Sequence, residues 1–392
     1  MLAREGSVRT PTTTVVHLTT VHPRTDSRIT GKEARALAGR LPHRVVLMVA
    51  DGKGSVADPS DPLAVHDLGR LDGGRIARVL RGSARALRAI RILRPAVVHF
   101  HDPELIPLGV VLRAMGIKVI YDVHEDVPRQ VFSKHYLPSA VRYLVAGGMA
   151  LLEVVCARFW TAIVPATPLI AKTPVLAGRF PPHKTVVVHN FPIADEIVVP
   201  DAPPYASREQ SVAYLGGIER VRGGVEMVRA FDSLHSLPEA RLELAGWFSP
   251  TSLEDELRAL PGWRAVNFHG EVDRRGVARI LSRTRAGVVV LHPEPTHIES
   301  YPIKLFEYMA AGLPIIASDF PVWRNIIDDA GCGILVDPMD PAALAGAIRW
   351  VLTHPAEAEE MGRHGRAAAE RKYSWKSEAA RLLALYEQVL KE

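Results

Sequence analysis

The sequence predicts an α/β protein made of two parallel-sheet domains, and three observations carry that reading. Short apolar runs alternate with helical patterns along almost the whole chain, the signature of successive βαβ units. At 392 residues the chain exceeds what one ordinary core accommodates. A polar, proline-rich stretch over 191–210 breaks the alternation midway and reads as a linker.

In the first half, strands are expected over 15–18, 45–49, 96–100, 119–121, 162–164 and 186–188, with helices near 31–40, 74–93, 104–115, 139–159 and 168–178. The second half repeats the scheme, with strands over 212–215, 242–245, 265–268, 287–291, 315–317 and 333–336. The resulting division is a first domain over 1–190, the linker, a second domain over 211–375 and a final helix over 376–392. Residues 1–13 are polar without an apolar core, so they are expected to be a disordered tail and not a signal peptide. No segment repeats another at a fixed period.

Composition narrows the function. A net charge of +5 is mild at this length, and no basic run is interleaved with aromatics, which argues against nucleic acid. It is compatible with a diphosphate ligand, or with weak attraction to an anionic membrane surface. The most apolar segment, 139–160, contains Arg142, Glu153 and Arg158. These leave too short a run for a membrane span, and a helix packed under the sheet is expected ahead of one lying in a membrane interface. Cys156 and Cys332 stand in apolar surroundings, and reduced buried thiols suit a cytosolic protein.

The most informative stretch begins where the apolar run 287–291 ends. A polar loop with Glu299 and Tyr301 leads to Pro302, a short helical pattern carrying Ile303, Lys304, Leu305 and Glu307 follows, and Gly312 and Pro314 stop it. In an open α/β sheet, ligands bind beyond the carboxyl ends of strands. Backbone N–H groups at a helix start favour an anion, and Lys304 adds a full charge there. Glu307, one turn further, suits the vicinal hydroxyls of a ribose, and Glu299, before the helix, suits those of another polyol. The plain alternative is an i,i+3 surface pair of Lys304 with Glu307 beside a solvated Glu299.

The Glu299–Glu307 spacing, continued by Tyr308-Met-Ala-Ala-Gly312 and Pro314-Ile-Ile-Ala317, resembles the donor-site signature of retaining glycosyltransferases of family 4. His99-Phe-His-Asp-Pro-Glu104, Tyr121-Asp-Val-His-Glu-Asp126, Phe268-His-Gly270 and Tyr373-Ser-Trp375 extend the match over about 14–389, closest to the branch that builds bacterial exopolysaccharides and surface glycans. The resemblance implies the GT-B fold, two Rossmann-like domains facing a cleft, with the last helix returning to the first domain. It also implies transfer of a sugar, with retention, from a nucleoside-diphosphate sugar (UDP ahead of GDP) to a hydroxyl of a glycan, lipid-linked or small-molecule acceptor.

On the donor side, Gly216, Gly217, Arg220, Arg222, Phe268 and His269 join Tyr301, Ile303, Lys304, Leu305 and Glu307 as expected ligands. The family usually has an arginine where Gly217 stands and a lysine where Arg222 stands, so Arg220 is expected to substitute from a shifted position, with Arg222 and Lys304 supplying the remaining charge. No Asp-x-Asp motif occurs, which points to protein cations and not a metal on the departing diphosphate. No cofactor is expected, the nucleotide sugar being a co-substrate.

On the acceptor side, the resemblance places His101 near the reacting sugar, with catalysis shared among His101, Glu299, Lys304 and Arg222. His22, Asp26, Arg28, His124 and Glu125 are expected to meet the acceptor, with Arg129 and Lys134 near the same edge. His99 and His101 share a strand face as a metal pair would, but no obvious set completes them. Two other readings stand beside transfer: a sugar-nucleotide 2-epimerase, against which the 306–312 segment speaks, and a non-catalytic partner subunit, which the altered position Gly217 supports.

Overall fold

The computed structural model describes residues 13–124, 126–132, 138–172, 180–199 and 201–391. Within it the chain divides into two compact units, Met1–Asn190 with Glu378–Glu392, and Phe191–Ser377.

The first unit holds six parallel strands, β1 (Thr14–Leu18), β2 (Arg44–Val49), β3 (Leu63–Asp67), β4 (Val97–Phe100), β5 (Lys118–Val123) and β6 (Ala162–Pro165), in the order β3-β2-β1-β4-β5-β6. Alternation sorts their side chains. Val16, Leu18, Val46, Met48, Val98, Phe100, Val119 and Tyr121 enter one core with Trp160. Each such large side chain, fully buried, stabilises the fold by roughly 1.5–3 kcal/mol. The opposite face carries His17 and His99, which are register partners across the β1–β4 ladder, and Tyr386 of the C-terminal helix Trp375–Lys391 hydrogen-bonds His99 at 3.0 Å.

The second unit repeats this plan with β7 (Ser211–Leu215), a short β8 (Ile218–Glu219), β9 (Arg241–Ala245), a short β10 (Phe248–Ser249), β11 (Val266–Phe268), β12 (Ala286–Val289), β13 (Ile315–Ser318) and β14 (Gly333–Val336). Its main sheet runs β11-β9-β7-β12-β13-β14, all parallel, with β8 and β10 paired beside it. Val212, Tyr214, Leu244, Val288 and Ile316 pack on one face, and Leu215, Val289, Ile315, Ala317 and Trp323 on the other. Such strands, buried on both faces, read as continuous apolar runs, which is why the sequence located them.

The departures have local causes. β3 escaped sequence reading because only Leu63 of its five residues is buried. The expected strand over 186–188 is only an edge segment, with Val186 and Val188 donating to the carbonyls of Ile163 and Pro165. Nor is the stretch from 191 a free linker, since Phe191 and Ile197 lie in the second unit's core. Phe191 stacks edge-on against Phe306 at 4.7 Å.

The helix Ser139–Ala157 packs on the sheet along one face, with Cys156 and Ala157 in the first unit's core and Glu153 accepting from the Tyr121 hydroxyl at 3.2 Å. It buries Ala146, Ala150, Glu153, Cys156 and Ala157 and leaves Tyr143, Leu144, Leu151 and Val155 exposed. By length and composition alone it is long and apolar enough to cross a membrane. Cys156 and Cys332 are buried and free. Residues 1–12 of the expected tail 1–13, Glu125 and Lys134 lie outside the described residues.

Candidate active site

Both main sheets share the strand order in which connections leave in opposite directions from two adjacent central strands, and ligands bind at that switch point. In the second unit the strands are β7 and β12. Gly216 follows β7, and its backbone N–H donates to the carbonyl of Ala245 at 2.8 Å. Gly246 follows β9 with φ +139°, and a Cβ there would lie 2.0 Å from the Gly216 carbonyl oxygen. Gly223, with φ +73°, turns the chain into the helix Gly224–Ala230, where a Cβ would meet the Val290 carbonyl at 2.2 Å. Only glycine fits either position.

Into this cleared ground projects Lys304, in the first turn of the helix Ile303–Ala310. Its Nζ lies 5.2 Å from the centre of the Tyr214 ring and within 2.8 Å of where a side chain on Gly216 would begin. Burial, then the nearby Arg222 guanidinium, pull its ammonium down to about 8. Arg222 pairs with Glu219 at 3.1 Å and acts on the Tyr214 hydroxyl as well. Two cations crowded in this way are stabilised by an anion between them.

Glu307 is buried, and its Oε1 accepts from Arg274 Nη1 at 2.6 Å. Arg274 also meets Glu196 at 3.3 Å, and its guanidinium is raised above its ordinary value, the acids outweighing burial.

In the first unit the switch strands are β1 and β4, and their crevice is filled by the protein itself. Asp102, after β4, accepts from Thr19 Oγ1 at 3.0 Å and from the Thr20 backbone N–H at 2.5 Å, tying down the loop after β1. Arg28 is buried between Asp122 (2.8 Å) and Glu33 (3.0 Å) and donates to the Val188 carbonyl. His101 sits with Nδ1 3.0 Å from Asp122 and Nε2 3.0 Å from His17 Nδ1. His124 Nε2 also meets Asp122, at 2.5 Å. Burial penalises the Asp122 carboxylate, yet Arg28 and His124 hold it well below the usual range.

A family model described as "Glycosyl transferases group 1" matches residues 199–368, and one described as "Glycosyltransferase Family 4" matches 28–191. The D-rhamnosyltransferase WbpZ of Pseudomonas aeruginosa is 32% identical over 285 residues, covering 69% of this chain and 68% of that protein. The chain belongs to glycosyltransferase family 4.

The phosphatidyl-myo-inositol mannosyltransferase of Mycobacterium tuberculosis is a further relative, 33% identical over 196 residues, 47% of this chain and 49% of that one. The chain spans about half the length of such mycobacterial relatives. Among solved structures, the sucrose-phosphate synthase of Thermosynechococcus elongatus superposes with a TM-score of 0.76 at 18% identity, over 97% of this chain and 99% of that one. The fold is GT-B.

Family membership sharpens the comparison with the expected ligands. Gly216, Gly217, Arg222, Lys304 and Glu307 gather at the β7/β12 switch point. Arg220 does not join them, because its guanidinium pairs with Glu256 on the exposed surface. Leu305 is fully buried and its N–H donates to Pro302, so it is a core residue. Ile303 and Tyr301 are half-buried at the helix start, Tyr301 stacked on Phe306. Phe268 packs against Phe248, and His269 is held by Glu243 at 2.6 Å. Glu299 is half-buried, one residue after the helical turn Pro295–Ile298.

Arg28, expected to meet the acceptor, and His101, expected near the reacting sugar, are both buried and hydrogen-bonded to internal partners. Asp26 caps the turn at Arg28 and Ile29. Against the cost of burial, His22 and the Ile29 N–H hold its carboxyl down at about 2. His22 and His124, with ring centres 5.3 Å apart, keep partial exposure.

Sequence reading missed Arg274 and Trp247. Trp247, after β9, is half-exposed with its indole 3.4 Å from where a Gly217 side chain would begin. A lone large aromatic between two glycine turns was the available signal. Arg274 gave none, because its partner lies 33 residues away in sequence.

Proposed function

We propose that this chain is a retaining glycosyltransferase that moves a sugar from a nucleoside-diphosphate sugar to an acceptor hydroxyl, the second unit binding the donor. The observation that carries this reading is Lys304 projecting over Gly216 where glycines keep the β7/β12 switch point clear, with the Arg222 guanidinium near enough to lower its ammonium. In this reading the two cations hold the diphosphate and stabilise the charge that develops as it departs. Glu307 accepts hydrogen bonds from the ribose hydroxyls, and Arg274 positions it. Glu299 accepts from hydroxyls of the transferred sugar.

Retention follows a front-face route, the departing phosphate taking the acceptor's proton, so catalysis rests on positioning and charge stabilisation. No metal acts on the diphosphate. UDP-sugars are favoured over GDP-sugars, in line with solved neighbours of this fold such as Anabaena HepE, whose crystal structure holds UDP and glucose. The acceptor is a glycan, a lipid-linked sugar or a small molecule, met by His22 and His124. The setting is cytoplasmic, and the exposed apolar face of the helix Ser139–Ala157 supports weak contact with a membrane.

The test is turnover of a UDP-sugar panel with and without EDTA, in wild type and in Lys304→Ala. Metal-free turnover that Lys304→Ala abolishes is the expected result. Turnover restored only by a divalent ion contradicts the metal-independent step, and sugar-nucleotide consumption without any acceptor points to epimerisation.

A further inference from the structure

The segment joining β12 to the helix Ile303–Ala310 carries Glu299 and has little to hold its own shape. Its one helical turn, Pro295–Ile298, has no side-chain cap and spans four residues, too few for a helix to be stable alone. Its apolar anchors, Ile298 and Tyr301, are only partly buried against the second unit's core. With so few buried apolar contacts, hydrogen bonds decide where Glu299 stands.

Those bonds come chiefly from the next strand and helix. Ser318, wholly buried at the end of β13, donates its hydroxyl to the Leu291 carbonyl at 2.9 Å, where the segment begins. Trp323, wholly buried in the helix Pro321–Ala330, donates its indole N–H to the Ser300 carbonyl at 2.8 Å, next to Glu299. Between these ends, His297 Nδ1 lies 3.1 Å from the His292 carbonyl, and the Ser300 hydroxyl donates to the His297 carbonyl at 2.7 Å. A carbonyl only accepts, so the His297 ring carries a proton on Nδ1. Trp323 is itself fixed edge-on against Phe320, with ring centres 5.0 Å apart. It lies in the apolar core, and its single polar group meets the backbone beside Glu299.

We propose that Trp323 is a positioning residue for sugar transfer, its indole N–H clamping the 291–300 segment, with the Ser318 hydroxyl and the His297 imidazole, so that Glu299 faces the transferred sugar. This rests on the reading of Glu299 as the acid that meets the sugar's hydroxyls. Positioning at this scale matters, because a misplacement of about 1 Å at a reacting centre can cost about 10²-fold in rate. Lys304 and Glu307 stand on the helix that follows, where the Leu305 N–H donates to the Pro302 carbonyl at 3.1 Å. Their contacts with a nucleotide therefore do not depend on the clamp.

The test is a double-mutant cycle on the full chain, with Trp323→Phe, Glu299→Ala and the double variant. It reads affinity for UDP and GDP by isothermal titration, and nucleotide release from UDP-glucose, UDP-galactose, UDP-N-acetylglucosamine and GDP-mannose. Trp323→Phe keeps an aromatic ring and removes the N–H. It is expected to lower kcat about tenfold while nucleotide affinity stays within about twofold of wild type. Once Glu299 is alanine, Trp323→Phe should lower kcat no further, although melting temperature falls equally in both backgrounds. An unchanged kcat in Trp323→Phe, a matching fall in nucleotide affinity, or a full loss that persists in the Glu299→Ala background overturns the proposal. His297→Ala leaves the core intact, is expected to show the same pattern, and decides the matter by the same outcomes if Trp323→Phe does not fold. Full turnover in Glu299→Ala, or none in wild type with any of the four donors, overturns the reading of Glu299 and removes the proposal with it.

Discussion

The two switch points of this molecule share a strand order and differ in what fills them. In the first unit the crevice between β1 and β4 is occupied by the chain's own groups, with Asp102 on the loop after β1, Arg28 between Asp122 and Glu33, and His101 between Asp122 and His17. In the second unit the equivalent ground between β7 and β12 is kept clear by Gly216, Gly223 and Gly246 and bordered by Lys304 and Arg222. The fold supplies the position, and the residues following the strands decide whether it becomes part of the core or a place for a ligand.

That contrast predicts different penalties for mutation on the two sides. The largest is expected in the filled crevice. Arg28→Met leaves Asp122 and Glu33 without their cation and should destabilise the protein by about 3–5 kcal/mol, read by chemical denaturation. Unchanged stability would mean that the network contributes little.

In the open crevice the cost should fall on activity instead. Lys304→Ala removes a cation facing the departing diphosphate and should lower kcat about 10²–10³-fold while the melting temperature holds or rises. A large loss of stability with normal turnover would reverse the assignment of the two regions.

Smaller effects sharpen the same line. Arg274→Ala should raise donor KM about tenfold with kcat nearly unchanged, since Arg274 acts only by holding Glu307. An equal fall in kcat would place Arg274 in the chemistry itself.

The pH effect should be smallest. Lys304 loses its charge as pH rises through about 8, so donor KM should climb several-fold between about pH 7 and pH 9. The stability effect has the opposite sign. An unfolded lysine keeps its proton to about pH 10.4, so the unfolded state binds more protons above pH 8 and Lys304's penalty on the fold is relieved as pH rises. Isothermal titration across this range should show proton uptake on donor binding. Binding without uptake would leave Lys304 outside the diphosphate site.

Legibility in the sequence followed the same division. The central strands of both sheets are continuous runs of valine, isoleucine, leucine and alanine, so their placement needed only local pattern. β3 was lost because an edge strand with one buried residue has no such run. The turn proposed to hold the donor could be read as a unit because Lys304, Glu307, Gly312 and Pro314 sit within one short segment whose spacing has a direct physical meaning. The filled crevice could not, because Arg28, Asp122 and His101 come from three separate elements, and a charged residue reads the same on paper whether buried or solvated. Arg28 and His101, expected at the acceptor and beside the reacting sugar, are buried with internal partners that no local pattern announces.

The central claim is that the β7/β12 crevice is a nucleoside-diphosphate site. Its most direct test is a thermal-shift panel of wild type and Glu307→Ala against UDP, GDP, ADP and dTDP. Binding to the folded state raises apparent stability by mass action. The account predicts a clear shift with one nucleotide, UDP first, that Glu307→Ala loses. No shift with any of the four would contradict it and leave a GT-B protein that acts as a non-catalytic partner.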